Sequence, residues 1–118
     1  MADSPYISTS ELQVETEKTA TETLFRCAGK LTSSTSVQFR EQVHGAIAES
    51  KRVALDLTNI KYMDSSGLGV LVSVWVSAKR ASCNLKLIGM SGRVKELLHL
   101  TSLEKVLALS RFPDTPSF

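Results

Sequence analysis

The sequence is short of residues that would brace it covalently or bind metal. It holds two cysteines, Cys27 and Cys83, far apart and in no CxxC or CxxH spacing. Its two histidines, His44 and His99, are equally dispersed, so no Cys/His cluster announces zinc. The cysteines read as small buried hydrophobes in a reducing compartment, with a disulfide as the alternative. Aromatics are scarce too: one Trp, two Tyr and four Phe. Basic residues come as scattered pairs, Lys51-Arg52 and Lys79-Arg80, and form no tract. Together these leave no stacking surface for single-stranded nucleic acid, so no direct nucleic-acid partner is expected. No apolar run approaches the roughly 20 residues of a membrane span. Residues 1–10 carry neither the basic start nor the apolar core of a secretory signal. A cytoplasmic protein without membrane contact is the expectation. There is also no P-loop, GxGxxG, GxSxG or HExxH string, and no histidine near a candidate nucleophile in sequence. No catalytic residue, metal site or cofactor is expected.

What is present is an ordinary globular composition. The chain has 118 residues, 42% hydrophobic and 22% charged. That fits one domain able to bury about two-thirds of its unfolded surface without a disulfide or metal. The net charge is +2, spread unevenly: residues 1–50 hold 4 basic and 7 acidic residues, residues 51–118 hold 10 and 5.

Hydrophobic periodicity divides the chain into alternating elements. Residues 1–10 look small, polar and loose. Leu12-Gln13-Val14-Glu15 alternates as a half-buried strand, and residues 18–21 form a polar turn. Residues 24–28 read as a second strand that Gly29 ends, making a hairpin with the first. Residues 31–34 look like a loop feeding a helix over 34–50, with Phe39, Val43, Ala46 and Ile47 on its apolar side. Val53-Ala54-Leu55-Asp56-Leu57 is nearly continuous apolar, as in a strand covered on both faces. Asp56 is its odd member, read as a strand-end carboxylate reaching a loop amide. Residues 58–63 read as a short connection. Asp64 then opens the most apolar helix, with a stripe of Leu68, Leu71, Val72, Trp75 and Val76 widened by Val70 and Val74, ending at Lys79-Arg80. Residues 85–88 make a further strand, closed by Gly89. Val94, Leu97, Leu98 and Thr101 mark a third helix from about Ser91. Residues 103–109 are apolar, strand or helix, and residues 111–118 read as a flexible tail. Helices alternating with strands imply parallel pairing and right-handed crossovers. The initial hairpin makes the sheet mixed. The fold class is therefore α/β.

One segment carries the functional signal: Met63-Asp64-Ser65-Ser66-Gly67-Leu68-Gly69-Val70. Asp64 is a strong N-cap, and Ser65 and Ser66 fall at the first helical positions. Gly67 and Gly69 each lower helix propensity by about 1 kcal/mol relative to Ala. Two such losses point to a backbone, ligand or partner that comes close. The plainer reading is a good cap whose glycines pack on the strands. The functional reading is a hydroxyl displayed at the positive end of a helix, where a phosphate adds about 1.5 to 2 negative charges.

Val53-Ala54-Leu55-Asp56-Leu57-Thr58, followed by Met63-Asp64-Ser65-Ser66-Gly67-Leu68-Gly69-Val70-Leu71, resembles the signature of STAS-domain proteins, above all the bacterial anti-sigma factor antagonists. The likeness runs from about Leu12 to Leu109. It implies a single STAS-type domain over residues 11–110, a mixed β-sheet with helices packed on it. It also implies a switch. Ser65 corresponds to the serine that a partner anti-sigma factor with serine kinase activity phosphorylates. The unphosphorylated antagonist binds that kinase and releases the sigma factor, and a PP2C-type phosphatase resets the phosphorylated form. Asp64, Ser66, Gly67, Leu68 and Gly69 would form the docking surface, completed by Gly29, Lys30 and Thr32. In that loop the family often carries Gly-Glu-Leu-Asp, whereas this chain has Gly29-Lys30-Leu31-Thr32, which implies an atypical kinase partner. The alternative within the family is a scaffold, or a subunit of a signalling or lipid-transport complex, that docks by the same face without a phosphate cycle.

Overall fold

A computed structural model of the chain describes residues 6–8 and 11–102. Five strands and three helices follow one another as β1 (Tyr6–Ser8), β2 (Leu12–Lys18), β3 (Glu22–Leu31), α1 (Ser36–Glu49), β4 (Arg52–Met63), α2 (Ser65–Arg80), β5 (Asn84–Met90) and α3 (Gly92–Leu100). The strands form one sheet in the order β1-β2-β3-β4-β5. β1 and β2 pair antiparallel, as do β2 and β3, whereas β3–β4 and β4–β5 are parallel. The sheet is mixed, as expected. The expected hairpin is β2–β3, closed where the Thr19 amide donates to the Glu22 carbonyl at 2.8 Å.

Alternation builds the near edge of the core. Leu12 and Val14 on β2, with Phe25 and Cys27 on β3, point inward and are 3% exposed or less. β4 is the spine. It touches all three helices, and its consecutive Val53, Ala54 and Leu55 are each 0% exposed, so both of its faces are covered. α1 packs Phe39, Val43, Ala46 and Ile47 inward, and residues at this spacing share one side of a helix.

Four expectations need correction. Gly29 does not end β3. It lies inside the strand at φ 111° where the register against β4 shifts, and the strand runs on to Leu31. Residues 58–63 are not a connection but the second half of β4. Asp56 makes that continuation workable by folding its carboxylate back. Its Oδ1 accepts from the Thr58 amide at 3.0 Å and the Thr58 hydroxyl at 2.6 Å. The amide it reaches is therefore two residues ahead within the same strand. Beside it, a Cβ on Gly89 would lie 2.2 Å from the Thr58 hydroxyl and 2.6 Å from Asp56 Oδ1, so a larger residue on β5 would displace this hydrogen-bonded pair. The buried stripe of α2 is Leu68, Leu71, Val74 and Ala78, with Gly67 and Val70 beside it. Val72 and Trp75 are half-buried and Val76 is exposed. Lastly, the three residues of β1 lie in the segment read as loose. The apolar stretch 103–109 and the tail after it lie outside the described residues.

Both cysteines are free and buried, as expected. Burial, and then the negative charge of Asp56, push the Cys27 thiol up to about 12. Burial also raises Cys83. A thiol-specific reagent at pH 8 should therefore leave Cys27 unmodified in the folded protein and modify both cysteines in denaturant. Rapid labelling of native Cys27 would contradict this packing.

Phe39 is 1% exposed in the middle of the core, so Phe39→Ala should lower stability by about 3–5 kcal/mol in denaturant titration. Trp75 is half-buried, with the Lys79 ammonium 5.6 Å above its ring, and Trp75→Ala should fall clearly below that range.

Candidate docking site at the start of α2

β3, β4 and β5 run parallel, so their carboxyl ends and the starts of α1, α2 and α3 gather at one edge of the sheet. This is the edge at which open α/β sheets bind ligands. The middle of it is the step from β4 into α2. Asp64 is extended, at φ −114° and ψ −169°, and caps the helix as anticipated. Its Oδ1 accepts from the Ser66 amide at 2.9 Å and the Gly67 amide at 3.1 Å. Two of the unpaired first-turn N–H groups are thereby satisfied.

Ser65, the first residue of α2, is exposed, and its side chain has no hydrogen-bond partner among the described residues. A serine hydroxyl needs an adjacent base to act as a nucleophile. The one neighbouring carboxylate, Asp64, spends its cap oxygen on backbone amides. His44 lies on the far half of α1, its Nε2 2.9 Å from the Ser77 hydroxyl. No group of His, Cys, Asp and Glu suited to a metal occurs among the described residues. Among the described residues, the Ser65 hydroxyl is thus displayed with no base placed beside it.

The two glycines of the motif do different jobs. A Cβ on Gly67 would stand 2.2 Å from the Leu31 carbonyl oxygen and 2.9 Å from Met63 Cγ. Its bareness lets the first turn of α2 lie directly on the end of β3, where the Asp64 amide also meets the Leu31 carbonyl at 3.4 Å. A Cβ on Gly69 would meet nothing within 4 Å. Gly69 instead borders an open groove between α1 and α2, with Val37, Arg40, Ser66 and Ser73 around it.

The STAS domain family profile matches residues 12–115, nearly the whole chain. The chain belongs to the STAS domain family. An anti-sigma-B factor antagonist of Listeria monocytogenes is 31% identical over 83 residues, covering 70% of this chain and 73% of the relative. Among solved structures, an anti-sigma factor antagonist from Mycobacterium paratuberculosis superposes with TM-score 0.73 at 16% identity, covering 86% of this chain and 87% of the other. The phosphorylated form of the Bacillus cell fate determinant SpoIIAA superposes with TM-score 0.64 at 19% identity, covering 78% of this chain and 86% of the other. These two superpositions show a shared fold.

Within this STAS domain the expected site residues fall into two groups. Lys30 pairs in register with Tyr62, and Leu31 with Met63, so the segment 29–32 does adjoin the start of α2. Lys30 is exposed, and Thr32 sits half-buried at the turn into α1, where its hydroxyl accepts from the Ser34 amide at 3.2 Å. With Asp64, Ser66 and Gly69 they offer surface. Gly67 and Leu68 do not, and Gly29, itself half-buried, serves chiefly a close backbone approach. Gly67 is buried against Leu31, and Leu68 is 8% exposed within the core. Gly29 turns toward the β2 start, where a Cβ would lie 2.2 Å from the Glu11 carbonyl oxygen. These three hold the edge in place. The sequence reading missed Tyr62 and Arg93. Tyr62 is 44% exposed, and the Arg93 guanidinium lies 5.5 Å over its ring. Tyr62 was hidden in a presumed connection, and Arg93 is brought here only by the packing of α3 on β4. Val37, on the groove wall, is 54% exposed and lies just outside the apolar stripe by which α1 was recognised.

The contrast between the glycines is testable. Gly67→Ala should destabilise by about 1–3 kcal/mol, because the obstructing atom is backbone. Gly69→Ala should stabilise by up to about 1 kcal/mol, since only helix propensity changes. Thermal or urea unfolding of the two variants reads both signs.

Proposed function

We propose that this STAS protein is an anti-sigma factor antagonist working by partner switching. It binds an anti-sigma factor that is also a serine kinase, using the edge around Asp64, Ser66, Gly69, Lys30 and Thr32, and so frees a sigma factor. The kinase transfers the γ-phosphoryl group of ATP to Ser65 Oγ, releasing ADP. It must itself accept the hydroxyl proton, because the described residues place no base there. The phosphorylated antagonist lets go, and a PP2C-type phosphatase restores it by hydrolysing the phosphoserine. The protein is not itself an enzyme and acts in the cytoplasm. No helix among the described residues is long and apolar enough to cross a membrane.

The observation that carries the proposal is the exposed Ser65 hydroxyl, unpartnered among the described residues, on the first residue of a helix already capped by Asp64. Because the cap does not use Ser65, its charge can change without unfolding the helix. A phosphate there gains from the helix dipole, while the surface presented to a partner turns strongly negative. The relatives agree: the Listeria monocytogenes protein is named an anti-sigma-B factor antagonist, and SpoIIAA has been solved in a phosphorylated form. Lys30 and Thr32 stand where the family often has acids, so the kinase that docks here should carry a less basic complementary surface.

Ser65→Ala should fold normally, resist phosphorylation and stay bound to the kinase. Ser65→Asp should also fold, yet bind at least about tenfold more weakly, since a second carboxylate beside Asp64 must be desolvated in the interface. Phosphopeptide mapping of protein taken from cells should place the phosphate on Ser65. Phosphate on Ser66 alone would move the switch by one residue. None on either serine, with the partner present, would leave the scaffold reading.

A further inference from the structure

The two sides of α2 at its start face different neighbours. Ser66, Gly69 and Ser73 border the groove against α1. Ser65 lies at helical spacing from Leu68, Val72, Trp75 and Lys79, which form the other side. At the far end of that side, Trp75 and Lys79 adjoin Asn84 and Leu85 of β5. The element that begins past the end of β5 is α3, which packs on β4 and β5. Arg93, in the first turn of α3, reaches across to the step from β4 into α2. Its Nη2 donates to the Met63 carbonyl at 3.5 Å, two residues before Ser65.

The arginine is poorly matched where it stands. Its Nε–H is shut off from solvent without a hydrogen-bond partner among the described residues. Its one ion pair among the described residues, with Glu96, is long at 3.4 Å and exposed on the glutamate side. The remaining contact is the face of Tyr62, at 5.5 Å. A guanidinium carries five donors in a planar fork suited to phosphate oxygens, and most of that capacity is unused.

Building on the reading of Ser65 as the phosphoacceptor, we propose that Arg93 is an internal counter-charge that takes hold of the phosphate once it is on Ser65. The fork would leave Glu96 and Tyr62 and bind the phosphate oxygens, while the first-turn amides of α2 face the same anion. Phosphorylation would then change the surface at two places: a held phosphate at Ser65 and an uncovered ring at Tyr62. The nearest other charged side chains in sequence or register are Asp64 before the helix, Lys61 beside Tyr62 on β4, Lys30 paired with Tyr62 on β3, and Lys95 and Glu96 on α3; farther along β4, β5 and α2 stand Asp56, Lys86, Lys79 and Arg80.

The test installs phosphoserine at position 65 of the full chain by genetic incorporation, so no kinase is needed. The second phosphate ionisation is then followed by phosphorus NMR against pH. An ordinary phosphoserine titrates near pH 6. A cation within hydrogen-bonding reach favours the dianion, so the folded protein should titrate about half a pH unit or more below its Arg93→Gln variant. Arg93→Lys, which keeps the charge, should recover part of that shift, and the Arg93 Nε–H signal should move on phosphorylation. Identical titrations in wild type and Arg93→Gln would overturn the proposal. So would a shift abolished by Lys30→Gln and retained in Arg93→Gln, which would assign the counter-charge to Lys30. A shift that Arg93→Lys fails to recover at all would assign the effect to structure rather than charge, and would overturn it as well. None of these outcomes depends on whether a kinase uses Ser65 in the cell, which the mass of cellular protein decides separately.

Discussion

The backbone of Gly67 rests on the carbonyl of Leu31, and the exposed edge of the protein depends on that contact. It sets the first turn of α2 down on the end of β3 with no side chain between them. Asp64 is then placed to satisfy two first-turn amides, and Ser65 is left as the first residue that faces outward. Moving the helix away by the width of a methyl group would loosen the cap and the register of Leu31 against Met63 together. The same close approach brings Lys30 and the turn at Thr32 beside the helix start. This edge is therefore one continuous surface drawn from β3, β4 and α2.

The second constraint is parallel pairing. Because β3, β4 and β5 all run the same way, the helices that follow them all start at one edge. Helix starts present N–H groups and a partial positive charge, so an edge built this way favours added negative charge. A serine at such a point tolerates both a neutral hydroxyl and a phosphate. That tolerance is what the proposed reversible switch would require of its fold.

Much of this architecture could be read from the residues in order. The hairpin of β2 and β3, the apolar side of α1, the Asp64 cap and the start of α3 at Ser91 all follow from local rules: alternation, helical spacing and short polar caps. Other features were misread for identifiable reasons. The second half of β4 looks like a connection because Thr58, Asn59, Lys61 and Tyr62 are exposed and break the apolar run. Its strand character comes from pairing with β3, which is a non-local interaction. The stripe of α2 was centred wrongly because nearly every position from Leu68 to Ala78 is apolar, and periodicity has no contrast to work with. The sheet beneath and α1 beside it decide which of those residues are buried.

The sequence by itself determined the alternation of elements, the cap and the displayed serine, since each rests on residues within one turn or one strand of one another. It also determined the family, through the string from Met63 to Leu71. Only the tertiary structure decided which glycine packs and which borders open space, because Gly67 and Gly69 are locally equivalent helix residues and differ only in whether Leu31 lies opposite. Only the tertiary structure brought Arg93 and Tyr62 to the step before Ser65, because they reach it from separate elements and meet where α3 crosses the end of β4.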